Sequence, residues 1–349
     1  MNKNIVVHYH WCPHFREHIF RALQKYSNHR VKFIFGNEVN IKGLKIVKEN
    51  FSYPTKIVKN LFFFSLIVQF FNFFKKDYLC ADRVMLGDIK FINAHISILL
   101  SKIGFGRTFL WTHGILEPES GFKWLIRKLF YGLADGVFTY SQQSADLLKE
   151  GGVKTKIISI GNSNFSETEK KTVDSKLNFK NNIVYIGRVN KGKNLEKVIN
   201  TIAETKNDFL FKIIGDGDAI QELKELVRIK KLEKKVLFYG SIYSDEELLA
   251  EVHDCSFGII ATEVGLAGFT YLKLKLGLVY EKGYVHKPEL HILNELGYGY
   301  GIEEINMKAL VEAREYYSKL DLSPALSSLY KEFSSEAVAQ KLLDGLSKC

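Results

Sequence analysis

Residues 183–202 read IVYIGRVNKGKNLEKVINTI, and this stretch decides the fold class. It opens on Ile183 to Ile186, a short apolar run that reads as a strand. It closes on Leu195 to Ile202, where Val198, Ile199 and Ile202 recur at helical spacing. Between them a turn carries Gly187, Arg188, Lys191, Gly192 and Lys193. A strand running straight into a helix is half of a βαβ unit, and open α/β sheets bind ligands at such carboxyl-edge turns. Arg188 offers a planar fork and Lys193, five residues on, a point charge. Two such cations can converge on a diphosphate. A solvated basic loop is the plainer reading, and spacing alone leaves both open.

The same alternation extends in both directions. Upstream, Ile5 to His8, Val31 to Phe35, Val84 to Leu86, Thr108 to Trp111, Gly136 to Tyr140 and Ile157 to Ile160 read as strands. Arg16 to Lys25 reads as a helix, and Ser141 as the N-cap of QQSADLLKE, which Gly151-Gly152 ends. Downstream come Leu210 to Ile214, Val236 to Tyr239, Phe257 to Ile260 and Leu278 to Tyr280, with an amphipathic helix at 335–347. Alternating strands and helices predict parallel α/β structure. The polar stretch 166–181 reads as a linker between a first domain, 1–165, and a second, 182–334. The final helix, 335–349, is expected to pack back toward the first domain. Neither half carries the dinucleotide fingerprint: Trp11-Cys12-Pro13 follows the first strand, and Gly215-Asp216-Gly217-Asp218 has too few glycines. That disfavours a nicotinamide or flavin enzyme.

The chain has 349 residues, 46% apolar and 25% charged, which suits a soluble two-domain protein. Its formal net charge of +10 points to an anionic partner: a nucleotide, a phospholipid surface or nucleic acid. The basic residues are dispersed and no nucleic-acid-binding pattern appears, so nucleic acid is set aside. Cys12, Cys80, Cys255 and Cys349 show no paired spacing and read as free thiols. MNKNIVVHYHWCPHF lacks the features of a signal peptide, so a cytoplasmic location is expected. Residues 61–74, LFFFSLIVQFFNFF, are too short to span a bilayer. They read either as a buried helix packed on a sheet or as a helix lying in a membrane surface, with Lys56, Lys59, Lys75 and Lys76 near headgroups.

The turn at 187–194 resembles the G-R-x-x-x-x-K signature of retaining glycosyltransferases of family four. Other stretches resemble that family in the same order. They are LWTHG at 110–114, ADG at 134–136, KIISIGNS at 156–163, LFKIIGDGD at 210–218, VLFYGS at 236–241 and FGIIATE at 257–263. The resemblance implies the GT-B fold: two Rossmann-like domains with a deep interdomain cleft, the second holding a nucleotide sugar and the first an acceptor. It implies that Arg188 and Lys193 hold the donor diphosphate, and that His113 lies beside the reacting sugar. Glu263 would be the first acidic residue of the E-x7-E element, touching sugar hydroxyls. Gly215, Gly217, Tyr239, Ser241, Gly265, Leu266 and Ala267 would complete the donor side. Tyr271 stands where the second glutamate belongs, and Glu281 or Glu289 is the substitute considered.

The chemistry implied is departure of a nucleoside diphosphate and attack by an acceptor oxygen on the same face, without metal or other cofactor. Asp216-Gly217-Asp218 has the letters of a metal element, but the resemblance assigns it to a turn. His8, His10, His14 and His18 are spread over strand, loop and helix, which argues against a metal cluster. The acceptor is expected near His14 and Arg16, as a saccharide carried on a lipid at the cytoplasmic face of the inner membrane. The setting implied is O-antigen or capsule assembly. The alternative is a non-catalytic relative that binds a sugar nucleotide or a partner enzyme, motivated by the altered second glutamate.

Overall fold

The computed structural model describes residues 4–28, 30–39, 46–167, 182–204 and 209–349. The expected linker lies, from residue 168 to 181, outside the described residues. The chain divides into two compact units, Met1–Glu167 with Lys331–Cys349, and Thr168–Tyr330.

The strands of the first unit are β1 (Ile5–Tyr9), β2 (Cys12–Pro13), β3 (Val31–Gly36), β4 (Ile46–Val47), β5 (Thr55–Val58), β6 (Asn60–Phe63), β7 (Leu66–Gln69), β8 (Asp82–Leu86), β9 (Arg107–Thr112), β10 (Gly136–Thr139) and β11 (Ile157–Ser159). Seven of them form one sheet in the order β11-β10-β9-β8-β1-β3-β5. All its pairings are parallel, and the order reverses between β1 and β8. The central strands are buried on both faces, which is why they read as continuous apolar runs.

One face of this sheet is covered by the helices Glu17–Tyr26 and Ser335–Lys348. Ile19, Phe20 and Leu23 meet Val338, Ala339, Leu342 and Leu346 in one buried cluster. The final helix starts on Ser334, whose hydroxyl accepts from the Ala337 N–H. Its Glu336 carboxylate takes hydrogen bonds from the Ser166 hydroxyl and the Glu167 N–H. The other face packs Trp11, Phe91, Ile98, Trp124, Phe130 and Leu148, from the loop after β1 and the helices Ile92–Lys102, Gly121–Leu133 and Gln142–Glu150.

Residues 61–74 correct the sequence reading. They are not a helix but the antiparallel hairpin β6–β7 and the segment after it. The inward set alternates as a strand does, Asn60 and Phe62 against Gln69 and Ile67, while Leu61 and Phe63 face out. Phe64, at φ +52°, takes the left-handed position of the turn. Two buried amides at the open end fix the register. The Gln69 side chain donates to Asn60 Oδ1 at 2.7 Å and accepts from His8 Nε2 at 2.6 Å, and Asn60 donates to the His10 carbonyl at 2.7 Å. A helix would leave these groups unpaired in the core, which costs more than helix propensity returns.

The second unit holds β12 (Asn182–Ile186), β13 (Leu210–Ile214), β14 (Val236–Gly240), β15 (Cys255–Ile260), β16 (Gly277–Glu281) and β17 (Tyr300–Ile302). They form a parallel sheet in the order β14-β13-β12-β15-β16-β17. Numbered within the unit this is 3-2-1-4-5-6, the doubly wound order, with its switch point between β12 and β15. The edge strand β17 and the helices Met307–Lys319 and Ser323–Phe333 were not read from the sequence.

Candidate functional site

The turn after β12 leaves the sheet at its switch point. The Gly187 N–H donates to the Ile214 carbonyl at 3.0 Å and the Val189 N–H to the Asp216 carbonyl at 3.0 Å. The turn is therefore laid directly on the loop after β13. That approach demands glycine: a Cβ on Gly215 would sit 1.8 Å from the Gly187 carbonyl oxygen, and one on Gly217 2.1 Å from that of Val189. The structure thus gives both glycines a packing task, holding two loops together under Arg188. Asp216 accepts the neighbouring Gly217 N–H at 2.8 Å. Val189 is buried and pins the turn, while Arg188 is exposed, its carbonyl accepting from the Tyr185 hydroxyl at 2.8 Å. Lys191–Lys193 then form a single tight turn, and Asn194, at φ +51°, starts the helix Leu195–Ala203.

On the other side of the switch point, β15 runs through Ala261 and Thr262 to Glu263. The Lys193 ammonium donates to Glu263 Oε1 at 2.8 Å, joining residues 70 apart in sequence. Burial pushes the Glu263 carboxyl up. The Lys193 hydrogen bond, its own backbone and the charges of Lys193 and Lys287 outweigh this and hold it below the usual range. Just beyond, the Val264 N–H donates to His286 Nδ1 at 3.1 Å and the Lys287 N–H to the Val264 carbonyl at 2.9 Å. His286 is held below its ordinary value by burial, with Glu263 pulling the other way. A neutral imidazole accepting at Nδ1 carries its proton on Nε2. Gly265, Leu266 and Ala267 follow, half-buried, at the start of the helix Ala267–Lys273.

Other expected residues sit differently. The Tyr239 ring lies 5.7 Å from the Lys212 ammonium, which is bound to Asp254 at 2.7 Å. Its surroundings are the Lys212–Asp254 pair, not the Lys193–Glu263 pair. Ser241 is exposed just past Gly240, whose carbonyl takes the Gly215 N–H at 2.7 Å. Tyr271, at the place of the second glutamate, is fully buried, and its hydroxyl accepts the Ile186 N–H at 3.0 Å. It therefore holds the last rung of β12, directly before the Gly187-Arg188 turn. Glu281 is buried and paired with Lys197 at 3.1 Å, and Glu289 is buried at the start of the helix Pro288–Glu295. Neither offers an exposed carboxylate.

Sequence reasoning missed His286, Tyr284 and Asn194. Asn194 donates to the Tyr284 hydroxyl at 2.9 Å, and Lys197 reaches the same oxygen at 3.5 Å. The available signal was position: Tyr284 and His286 lie in the loop after β16, on the same carboxyl edge, immediately before Lys287-Pro288 opens a helix.

In the first unit, His113 follows β9 and is exposed, its ring edge-on to Tyr140 at 4.4 Å. Arg16 is buried among aromatic faces, 4.7 Å from Tyr140, 5.0 Å from Trp111 and 5.7 Å from Tyr9, and donates to the Tyr140 hydroxyl. His14 is half-buried on the turn ahead of the helix Glu17–Tyr26. Tyr140 thus links His113 to Arg16, but Arg16 is enclosed and not presented to solvent. Among the described residues no group of three or more His, Cys, Asp or Glu side chains is placed to hold a metal ion.

Two doubly wound α/β units in one chain, the second with a cation–carboxylate pair at its switch point, define the class: this is the GT-B fold. Residues 166–263, which contain Arg188, Lys193 and Glu263, match the family glycosyl transferases group 1. Alr3699/HepE of Anabaena, solved with UDP and glucose, is similar over 99% of this chain and 100% of its own, at TM-score 0.70 and 15% identity. The lipopolysaccharide outer core galactosyltransferase WaaB is similar over 99% and 100%, at TM-score 0.68 and 13% identity. At these identities the likeness is one of fold. In sequence, an uncharacterized glycosyltransferase, MJ1069 of Methanocaldococcus jannaschii, is 28% identical over 211 residues. The match covers 54% of this chain and 53% of that protein, about half of each.

Proposed function

We propose that this protein transfers a sugar from a nucleoside-diphosphate sugar to a saccharide acceptor. The observation that carries the reading is the Lys193–Glu263 pair beside exposed Arg188 at the β12/β15 switch point, inside the matched region. Donor-bound structures of similar fold support it, since Alr3699/HepE was solved with UDP-glucose.

In this reading Arg188 and Lys193 take the donor diphosphate and stabilise its departure as the anomeric C–O bond breaks. Glu263, released from Lys193 by the incoming phosphate, accepts hydrogen bonds from sugar hydroxyls. The acceptor oxygen bonds to the anomeric carbon on the face the diphosphate leaves, retaining configuration, and its proton passes to the departing phosphate. His113 is assigned to the reacting sugar by the family resemblance. Such a reaction draws on positioning and leaving-group stabilisation, and it is proposed to run without metal. The acceptor is proposed to be lipid-linked, in surface polysaccharide assembly at the cytoplasmic face of the membrane.

The test is release of nucleoside diphosphate from a panel of sugar nucleotides, with membrane lipid extract as acceptor, comparing the wild type with Arg188→Ala. One donor turned over, with a loss of about 10²-fold or more in the variant, is expected. Turnover untouched by Arg188→Ala would remove the assignment. A second reading, a non-catalytic binder, is favoured by buried Tyr271 in place of the second glutamate. Binding without release from any donor would select it.

A further inference from the structure

The helix Gly121–Leu133, GFKWLIRKLFYGL, has more apolar surface than the fold covers. Trp124, Phe130 and Tyr131 are buried against the sheet. Phe122, Leu125, Ile126, Leu129 and Leu133 are exposed instead, Phe122 at 76%. At 3.6 residues per turn these five fall within an arc of about 100°, a continuous stripe about 17 Å long. A helix apolar on two faces is normally buried on both, and among the described residues nothing covers the outward stripe of this one.

The stripe continues onto the neighbouring helix Ile92–Lys102. His95 meets Phe130 at 4.6 Å, and Lys102 reaches Asp135 at 3.4 Å, so the two helices run side by side. Leu99, one turn beyond His95, is exposed, as are Ile103 and Phe105 where the helix ends. The hairpin β6–β7 belongs to the same layer, tied to this helix by the Asn93 amide, which donates to the Gln69 carbonyl at 2.8 Å. Its tip, Phe63 and Phe64, is among the most exposed apolar surface described, Phe64 at 92%.

Charge identifies the occupant. The two helices carry Lys102, Lys123, Arg127 and Lys128 and no aspartate or glutamate. Arg127 has Glu119 as a neighbour and Lys102 has Asp135, leaving the set cationic in a chain of net charge +10. A protein partner would be met by an interface core poor in lysine. A ridge of bulky apolar side chains edged by lysine and arginine is instead the composition of a helix that sits in a lipid interface. We propose that the outer ridge formed by Gly121–Leu133 and the end of Ile92–Lys102 is a docking surface for an anionic lipid bilayer, with Phe63 and Phe64 as a second point of entry. The inference deepens the membrane part of the proposed function by naming the surface. Its test involves no sugar donor, so either can fail alone.

The experiment is co-sedimentation of the full chain with vesicles of phosphatidylcholine containing about 30% phosphatidylglycerol, at low salt. Wild type is expected in the lipid pellet, and in the supernatant with pure phosphatidylcholine. Leu125→Glu with Leu129→Glu is expected to lower the partition coefficient at least about tenfold. Lys123→Ala and Lys128→Ala are each expected to lower it about fivefold. Melting temperatures, read beside each binding curve, are expected to stay at the wild-type value because all four side chains lie outside the core. Wild type that stays in the supernatant overturns the proposal, as does a double glutamate variant that binds as the wild type does. Dimerisation of the wild type that the double variant abolishes also overturns it, since a second copy would then cover the ridge.

Discussion

The two sheets place their switch points alike and fill them in opposite ways. After β1 of the first unit come bulky rings: His10 stacks on Trp11 at 3.4 Å, and Arg16 is enclosed by Tyr9, Trp111 and Tyr140. After β12 of the second unit come glycines, loops in backbone contact, and Arg188 in solvent. The topology supplies the location in both. Whether a cation there is presented or enclosed depends on the size of the residues around it. In the proposed function the donor chemistry therefore falls to the second unit, while the first spends its edge on an aromatic core.

Acid should separate the two units most sharply. Burial pushes His8 down to about 3, against the Gln69 hydrogen bond, and burial with the Arg16 charge pushes His10 down to about 3. An unfolded histidine titrates near 6.5. Between these values the unfolded chain binds protons that the folded first unit refuses, so stability rises with pH. This contribution is whole above about 6.5 and is lost as pH falls toward 3, at about 1.4 kcal/mol per pH unit for each histidine. In the second unit Asp254 is held below its ordinary value, its own burial being outweighed by the Lys212 and Asn182 hydrogen bonds. The contributions of Glu263 and Asp254 persist until pH falls below the ordinary carboxylate range. Half-buried His286 adds a smaller loss below about 6.5. Melting between pH 7 and 5 should thus weaken the first unit before the second, and His8→Gln should flatten that slope. An unchanged slope in the variant would remove His8 from the account.

Glycine gives the next largest contrast. Gly215 combines φ +148° with a Cβ position inside the Gly187 carbonyl, so Gly215→Ala should destabilise the second unit by about 3 kcal/mol. Gly132, in the first unit, has open space around its Cβ position, and Gly132→Ala should stabilise its helix by about 0.5 kcal/mol. Denaturant melts of opposite sign are expected. Equal effects would mean that the loop contact at Gly215 relaxes without cost.

How much of this was legible depended on how local the cause was. Strands such as Asn182–Ile186 were readable because a strand buried on both faces is a continuous apolar run, here Ile183 to Ile186. Ser141 was readable as a cap because its partner, the Ser144 N–H, is three residues away. The hairpin at 60–69 was not, because Asn60 and Gln69 set it and their partners lie at His8, His10 and Asn93. At the site, Arg188 and Lys193 stood out by spacing. The pairing of Lys193 with Glu263 follows only once β12 and β15 are neighbours, and Tyr271 read as a lost glutamate until its hydroxyl was found on the Ile186 N–H.

The smallest effect tests the assignment most closely. Lys191 and Lys193 share one turn, and both bind a carboxylate at 2.8 Å: Lys191 to Glu222, Lys193 to Glu263. The Lys191 pair is exposed on both sides, and exposed pairs contribute little because water screens them. Lys193 is mostly covered and points to the switch point, where its partner also belongs to the proposed donor site. Lys191→Ala should therefore leave melting temperature and nucleoside diphosphate release at wild-type values. If Lys191→Ala slowed release as far as Arg188→Ala does, the basic turn would act by its total charge, and the distinction between an exposed edge and a built site would fail.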